Sequence, residues 1–248
     1  MSRFLTNALG CIALTLALTA CPFTSADSDR PAINPSSIQL TQQREVSGFN
    51  RVVFSAFGTL IISQGDRESL SIQSADNLLP LISSSVSGGT LTIEAARGVR
   101  FSGFPQATLT LIVKDLSAIS LNGIGAIQAQ ALNSPALTIS ERGAGSISLT
   151  NLTAESLVIE QTGTGDLRLS GNATSQQLTL RGTGNYLAAD LRSAQTTVML
   201  EGRGNATIWA TESLAIRTSG PGKLSYWGAP TLTQEKIGIG GIVSLGNK

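Results

Sequence analysis

The sequence predicts an all-β fold, a parallel β-helix or solenoid with rungs of about 20 residues. Three observations predict it. First, a Gly-x-Gly doublet recurs at Gly123–Gly125, Gly143–Gly145, Gly163–Gly165, Gly182–Gly184, Gly202–Gly204 and Gly220–Gly222. The spacings are 20, 20, 19, 20 and 18 residues, and a degenerate copy stands at Ile239-Gly240-Gly241. Second, the flanks keep the same register. Four residues before each first Gly stand Ile119, Ile139, Ile159, Leu178, Val198 and Ile216, and four after it stand Ile127, Ile147, Leu167, Tyr186, Ala206 and Leu224. Third, the chain is 13% charged and 4% aromatic but 41% hydrophobic. That charged fraction is about half the usual one and suits a narrow aliphatic core.

In chain order, residues 1–20 read as a signal peptide. A short polar start carries Arg3, and an apolar run follows from Ala8 to Ala20. That run is too short to span a bilayer, for which about 20 apolar residues are needed. It ends in Leu18-Thr19-Ala20-Cys21, which is similar to a bacterial lipobox and implies lipidation of Cys21. Cys11 would leave with the leader, so no free thiol and no disulfide would remain. Loss of Arg3 would also leave sixteen basic against sixteen acidic residues. Pro22 stands where an Asp would favour inner-membrane retention, which points towards the outer membrane of a Gram-negative bacterium. Residues 21–45, rich in Ser, Pro, Asp and Gln, read as a lipid-anchored tether.

Residues 46–248 read as the solenoid. Arg51–Phe54, Thr59–Ile62, Leu70–Ile72, Thr90–Ile93 and Ala107–Val113 mark strands, and Asp76–Leu81 reads as a helical turn. Residues 46–118 are expected to form the first rungs and a cap, with roughly ten rungs in all. Around each doublet, apolar and polar residues alternate with period two, so each flank is a strand with one buried face. A polar return, such as Asn133-Ser134-Pro135 or Asn172–Ser175, would close the rung. Glycine at the turn is required by close approach of successive backbones or by positive φ. The residue after each doublet is mostly small or polar, and Asn185 and Asn205 would stack as a short Asn ladder.

Several chemistries are excluded or disfavoured. The chain has no His, which removes His-based triads and His-ligated metals. A net charge of +1 argues against nucleic acid. No doublet extends to a phosphate-binding loop ahead of a helix. A Gly-Gly-x-Gly-x-Asp calcium repeat is approached once, at Gly163–Asp166. A carbohydrate-cleaving β-helix needs carboxylates clustered on one face. Here Glu141, Glu160, Asp166, Asp190 and Glu201, with Arg181, Arg203 and Arg217, fall in no single column. No catalytic residue, metal ligand or cofactor is therefore assigned. Tyr226 falls in an inward column, whereas Trp209 and Trp227 alternate outward and are the candidate surface-binding residues.

Three stretches carry a family resemblance. They are Arg44–Val52 followed by Leu60–Gly65, then Asn77–Ile82 with Gly88–Ile93, and finally the Gly-x-Gly ladder. Together they make residues 46–245 resemble the bacterial GIN-domain family, the putative auto-transporter adhesin head domain. The resemblance departs from the usual family form in often lacking Ser between the glycines. It implies a β-helical fold, export and a lipoprotein anchor, and no reaction. The expected function is a lipid-anchored, non-catalytic cell-envelope protein presenting an adhesin or interaction surface. Its partners would be the membrane, through the lipid, and a glycan or an extracellular or envelope protein. The alternatives are a carbohydrate-active β-helix, polysaccharide-binding or polysaccharide-cleaving, and a periplasm-facing structural scaffold.

Overall fold

A computed structural model describes residues 32–248. The predicted leader, Cys21 and the first part of the tether lie outside the described residues. The described chain is nearly all-β, with strand as its dominant element and one short 3-10 turn. β1 (Gln39–Arg44), β2 (Arg51–Ser55), β3 (Thr59–Gln64) and β4 (Ser69–Ala75) lead to a 3-10 turn at Leu79–Leu81, within the predicted helical turn. β5 (Ile82–Ser87), β6 (Thr90–Ala95) and β7 (Ala107–Val113) follow. β8 (Ala118–Leu121) and β9 (Ala126–Gln130) flank the first doublet, and β10 (Asn133–Glu141) precedes the second. The next rungs are each one long strand: β11 (Ser146–Gln161), β12 (Leu167–Leu180), β13 (Tyr186–Leu200) and β14 (Ala206–Thr218). β15 (Leu224–Trp227), β16 (Thr231–Lys236) and β17 (Ile242–Ser244) complete the stack.

The predicted columns are observed as parallel ladders. Ile119 pairs with Ile139, Ile139 with Ile159, Ile159 with Leu178, Leu178 with Val198, and Val198 with Ile216. Ile127, Ile147, Leu167, Tyr186, Ala206 and Leu224 form the second column. Both columns are buried along their whole length. Removing one such Leu or Ile side chain costs about 2–5 kcal/mol, because neighbouring rungs cannot collapse onto the gap without breaking register.

Two expectations about the rung are sharpened. The doublet glycines are needed for close approach and not for positive φ. None of them is among the glycines with positive φ. A Cβ on Gly145 would lie 1.8 Å from the carbonyl oxygen of Gly125, and one on Gly165 would lie 1.4 Å from that of Gly145. The return is also not a loop. Asn133–Pro135 opens β10, Asn172–Ser175 lies inside β12, and register shifts in the long strands make the bends. A bulge turns the strand without ending its pairing. The return carries its own interior column, Leu137–Leu157–Gln176–Thr196–Leu214. Of its two polar members Gln176 is tied into the core, whereas the buried Thr196 hydroxyl meets no partner. The Gln176 amide donates to the Tyr186 hydroxyl at 2.8 Å, and Ser193 Oγ donates to Gln176 Oε1 at 2.7 Å.

The amino-terminal strands depart from the rung pattern. β2 and β3 join the stack in parallel with β8 and β9. Beyond them β6 and β7 are the last parallel strands, and β5, β4 and β1 run antiparallel. The regular solenoid is therefore about six turns, shorter than the ten rungs the sequence suggested. β1 falls in the segment assigned to the tether, yet it pairs with β4 from Gln39–Ala75 to Arg44–Leu70. Its sequence, QLTQQR, has no apolar alternation and is largely exposed. Backbone pairing, invisible to hydrophobic periodicity, holds it.

Candidate ligand-binding surface

The carboxylates that catalysis would require are scattered and already engaged. Glu160 faces Arg142 at 3.8 Å, Glu201 accepts from Arg181 at 2.7 Å, and Glu235 faces Arg217 at 3.7 Å. Asp190 pairs with Lys248. Among the described residues no group of three or more Asp, Glu or Cys side chains could hold a metal ion.

Glu141 is the exception to this surface pattern, because it lies inside the solenoid. It pairs with Leu121 on one side and Gln161 on the other and is fully buried. Neither carboxylate oxygen meets a donor in hydrogen-bonding geometry. Burial pushes its carboxyl up to about 7, and the nearby N–H groups of Gly143 and Gly163 and the Gln161 amide offset only part of that rise. No substrate could reach it there, so its chemistry is structural.

The position after each doublet forms a side-chain ladder that begins at Asp166. Asp166 Oδ1 accepts from the Asn185 backbone N–H at 3.1 Å and from its amide at 3.0 Å. Asn185 Oδ1 accepts from the Asn205 N–H and amide at 3.2 and 3.3 Å, and Asn205 Oδ1 accepts from the Lys223 N–H at 3.0 Å. The predicted Asn ladder is thus one acidic residue longer. Partial burial works to raise the Asp166 carboxyl. The two Asn185 hydrogen bonds and the Arg168 charge outweigh it and hold the group below its ordinary range.

Upstream of Asp166 the same column holds Thr59, Ala126 and Ser146, whose shorter side chains leave a groove of about 560 Å³. Its floor is the turn glycines Gly58, Gly125, Gly145 and Gly165. One wall carries Ile124, Ala144 and Thr164. Phe57, Phe104, Pro105 and Gln106 close one end, and Asp166 with Arg168 closes the other. The Arg168 guanidinium donates to Asp166 Oδ2 at 3.1 Å. Phe104 is 88% exposed. The segment bearing it is nonetheless held, because Phe101 packs edge-on against Phe57 at 5.1 Å and Ile33 bonds to Arg100 and Ser102. The groove contains Asp166 but neither Arg181 nor Arg203. The sequence singled out neither Phe104 nor the groove, since residues 96–106 lie outside the repeat and a lone Phe in a loop carries no periodic signal.

Trp209 and Trp227 are adjacent, paired on neighbouring rungs, and both are half-buried. The Lys248 ammonium lies 5.1 Å from the centroid of the Trp209 ring, while also donating to the Ala189 carbonyl at 2.7 Å. Lys248 of the same chain therefore covers part of the ring. Tyr226 is partly buried against the core, as its inward column requires.

A family model described as putative auto-transporter adhesin, head GIN domain, matches residues 48–230. Similar solved structures include a putative adhesin from Bacteroides fragilis, at 29% identity and a TM-score of 0.83, covering 86% of this chain and 100% of that one. A putative adhesin from Parabacteroides distasonis is 20% identical with a TM-score of 0.65, covering 87% of this chain and 100% of the other. A putative lipid binding protein from the same organism is 18% identical with a TM-score of 0.69, over the same shares. The last two show likeness of fold alone. No curated protein matches the chain.

Proposed function

The chain belongs to the putative auto-transporter adhesin, head GIN domain family, and from that premise we propose that it is a non-catalytic, lipid-anchored envelope protein whose solenoid presents an adhesive surface. The observation that carries the non-catalytic reading is the state of its carboxylates. The candidate carboxylates on the surface, Glu160, Asp166, Asp190 and Glu201, sit in separate ion pairs, and the one with a strongly raised carboxyl, Glu141, is sealed inside the stack. A rigid parallel ladder with a groove and a pair of half-buried Trp side chains is suited to holding a partner in place. The similar protein from Bacteroides fragilis, described as a putative adhesin, supports the same reading. Anchoring through Cys21 follows from the lipobox-like Leu18–Cys21.

Protease treatment of intact cells tests the surface placement. Digestion of the domain is expected, and complete protection until the outer membrane is permeabilised would overturn it in favour of a periplasm-facing scaffold. Cys21→Ser is expected to move the protein from the membrane to the soluble fraction, and unchanged fractionation would overturn the anchor.

A further inference from the structure

We infer that the groove between Phe104 and Asp166–Arg168 is a binding site for a neutral oligosaccharide lying along the solenoid axis. This rests on the reading of the chain as an interaction surface and names the ligand chemistry of one site on it.

The shape argues for an extended, repeating ligand. From Thr59 through Ala126 and Ser146 to Asp166 the groove crosses three rung steps, about 14 Å at roughly 4.8 Å per step. Its volume lies in the range of small-ligand sites. The lining argues for hydroxyl-bearing rings. Thr59, Ser146 and Thr164 offer groups that both donate and accept, Gln106 offers a carboxamide, and Asp166 and Arg168 present an acceptor beside a donor. Vicinal sugar hydroxyls, each a donor and an acceptor, complement that set. Phe104 supplies an apolar ring face that is already exposed and needs no rearrangement to be met.

Charge and backbone then narrow the class. Asp166 and Arg168 neutralise one another, so the groove selects neither anion nor cation. A peptide strand would need a run of unpaired backbone groups, and the wall of the groove spends its N–H groups between rungs. Ala144 N–H donates to the Gly123 carbonyl at 3.2 Å, and Thr164 N–H donates to that of Gly143 at 3.0 Å. Recognition along that wall therefore runs through side chains. The Asx ladder explains where the site stops, because from Asp166 onward the same column is filled by Asp166, Asn185 and Asn205 bonding to one another.

The test is binding of the full-length chain in detergent to an immobilised panel of cello-, manno- and galacto-oligosaccharides, with oligogalacturonates as acidic counterparts. Retention of at least one neutral series is expected, with Phe104→Ala and Arg168→Ala each weakening it about tenfold at unchanged Tm. Trp209→Ala is expected to leave it unaltered. Binding of the acidic series alone, binding indifferent to F104A and R168A, or no binding at all would overturn the inference. Attachment of beads coated with the chain to envelope-protein surfaces, measured alongside, separates the two readings. Attachment without glycan binding removes the groove assignment and leaves the interaction surface. Loss of both removes both.

Discussion

The stacked rungs and the amino-terminal strands bury the same kinds of side chain by different rules. Ile139 lies between Ile119 and Ile159, its own equivalents one rung away on either side. Leu70, in β4, lies opposite Arg44 on one antiparallel neighbour and Leu111 on the other, and nothing equivalent recurs. Repetition lets the rungs approach closely enough to exclude a Cβ at the turn. The antiparallel strands have no such turn stack, and Gly88 and Gly89 serve an ordinary hairpin between β5 and β6. The groove lies where the two regions meet, with Phe57, Phe104 and Gln106 from one and Ser146, Asp166 and Arg168 from the other.

The sharpest way to break this contrast is at glycine. Gly165→Ala forces a Cβ against the Gly145 carbonyl and is expected to cost about 4 kcal/mol or more, read as loss of cooperative thermal unfolding. Gly88, between β5 and β6, has φ +53° and nothing within 4 Å of a Cβ, so Gly88→Ala is expected to cost only about 1 kcal/mol. Equal costs would mean that the rungs are not in the close contact described.

Next in size is Glu141. Its folded carboxyl titrates at about 7 against an ordinary value of 4.5, so the folded chain keeps a proton that the unfolded chain releases. The associated stability is full below 4.5 and is lost as pH rises through about 7, a swing of about 3 kcal/mol. Denaturant unfolding from pH 4 to 9 is expected to show this fall in the wild type, and Glu141→Gln is expected to flatten it. A wild-type profile without the fall would place the carboxylate in water.

Smaller still is the side-chain ladder. Asp166→Ala removes the acceptor for two Asn185 donors and is expected to cost about 1 kcal/mol in the same assay. Arg181→Ala breaks an exposed ion pair with Glu201 and is expected to cost well under 1 kcal/mol. A larger loss at Arg181 than at Asp166 would mean that the stack is held by its outer charges and not by its turn.

The same contrast explains what could be read from the residues. The rungs were legible because each constraint is written six times, so that Ile119 through Ile216 form a column before any coordinate is known. The antiparallel turn-over at β4 and β5 was not, since a strand's alternation reveals its buried face but not the direction of its neighbour. β1 was missed because backbone pairing holds it without an apolar face. The interior return column was hidden because Gln176 and Thr196 interrupt its leucines. Of the candidate site, Asp166 was visible as an odd member of a repeat. Phe104 was not, because its importance comes from Phe101 and Phe57 fixing a loop beside the stack.

The central claim is that this surface holds a ligand without transforming it. The most direct measurement is the chain length of the oligosaccharides recovered from the wild-type protein after prolonged incubation. The account predicts that they are retained and recovered at their original length. Shortened products, absent from a heat-denatured control, would contradict it.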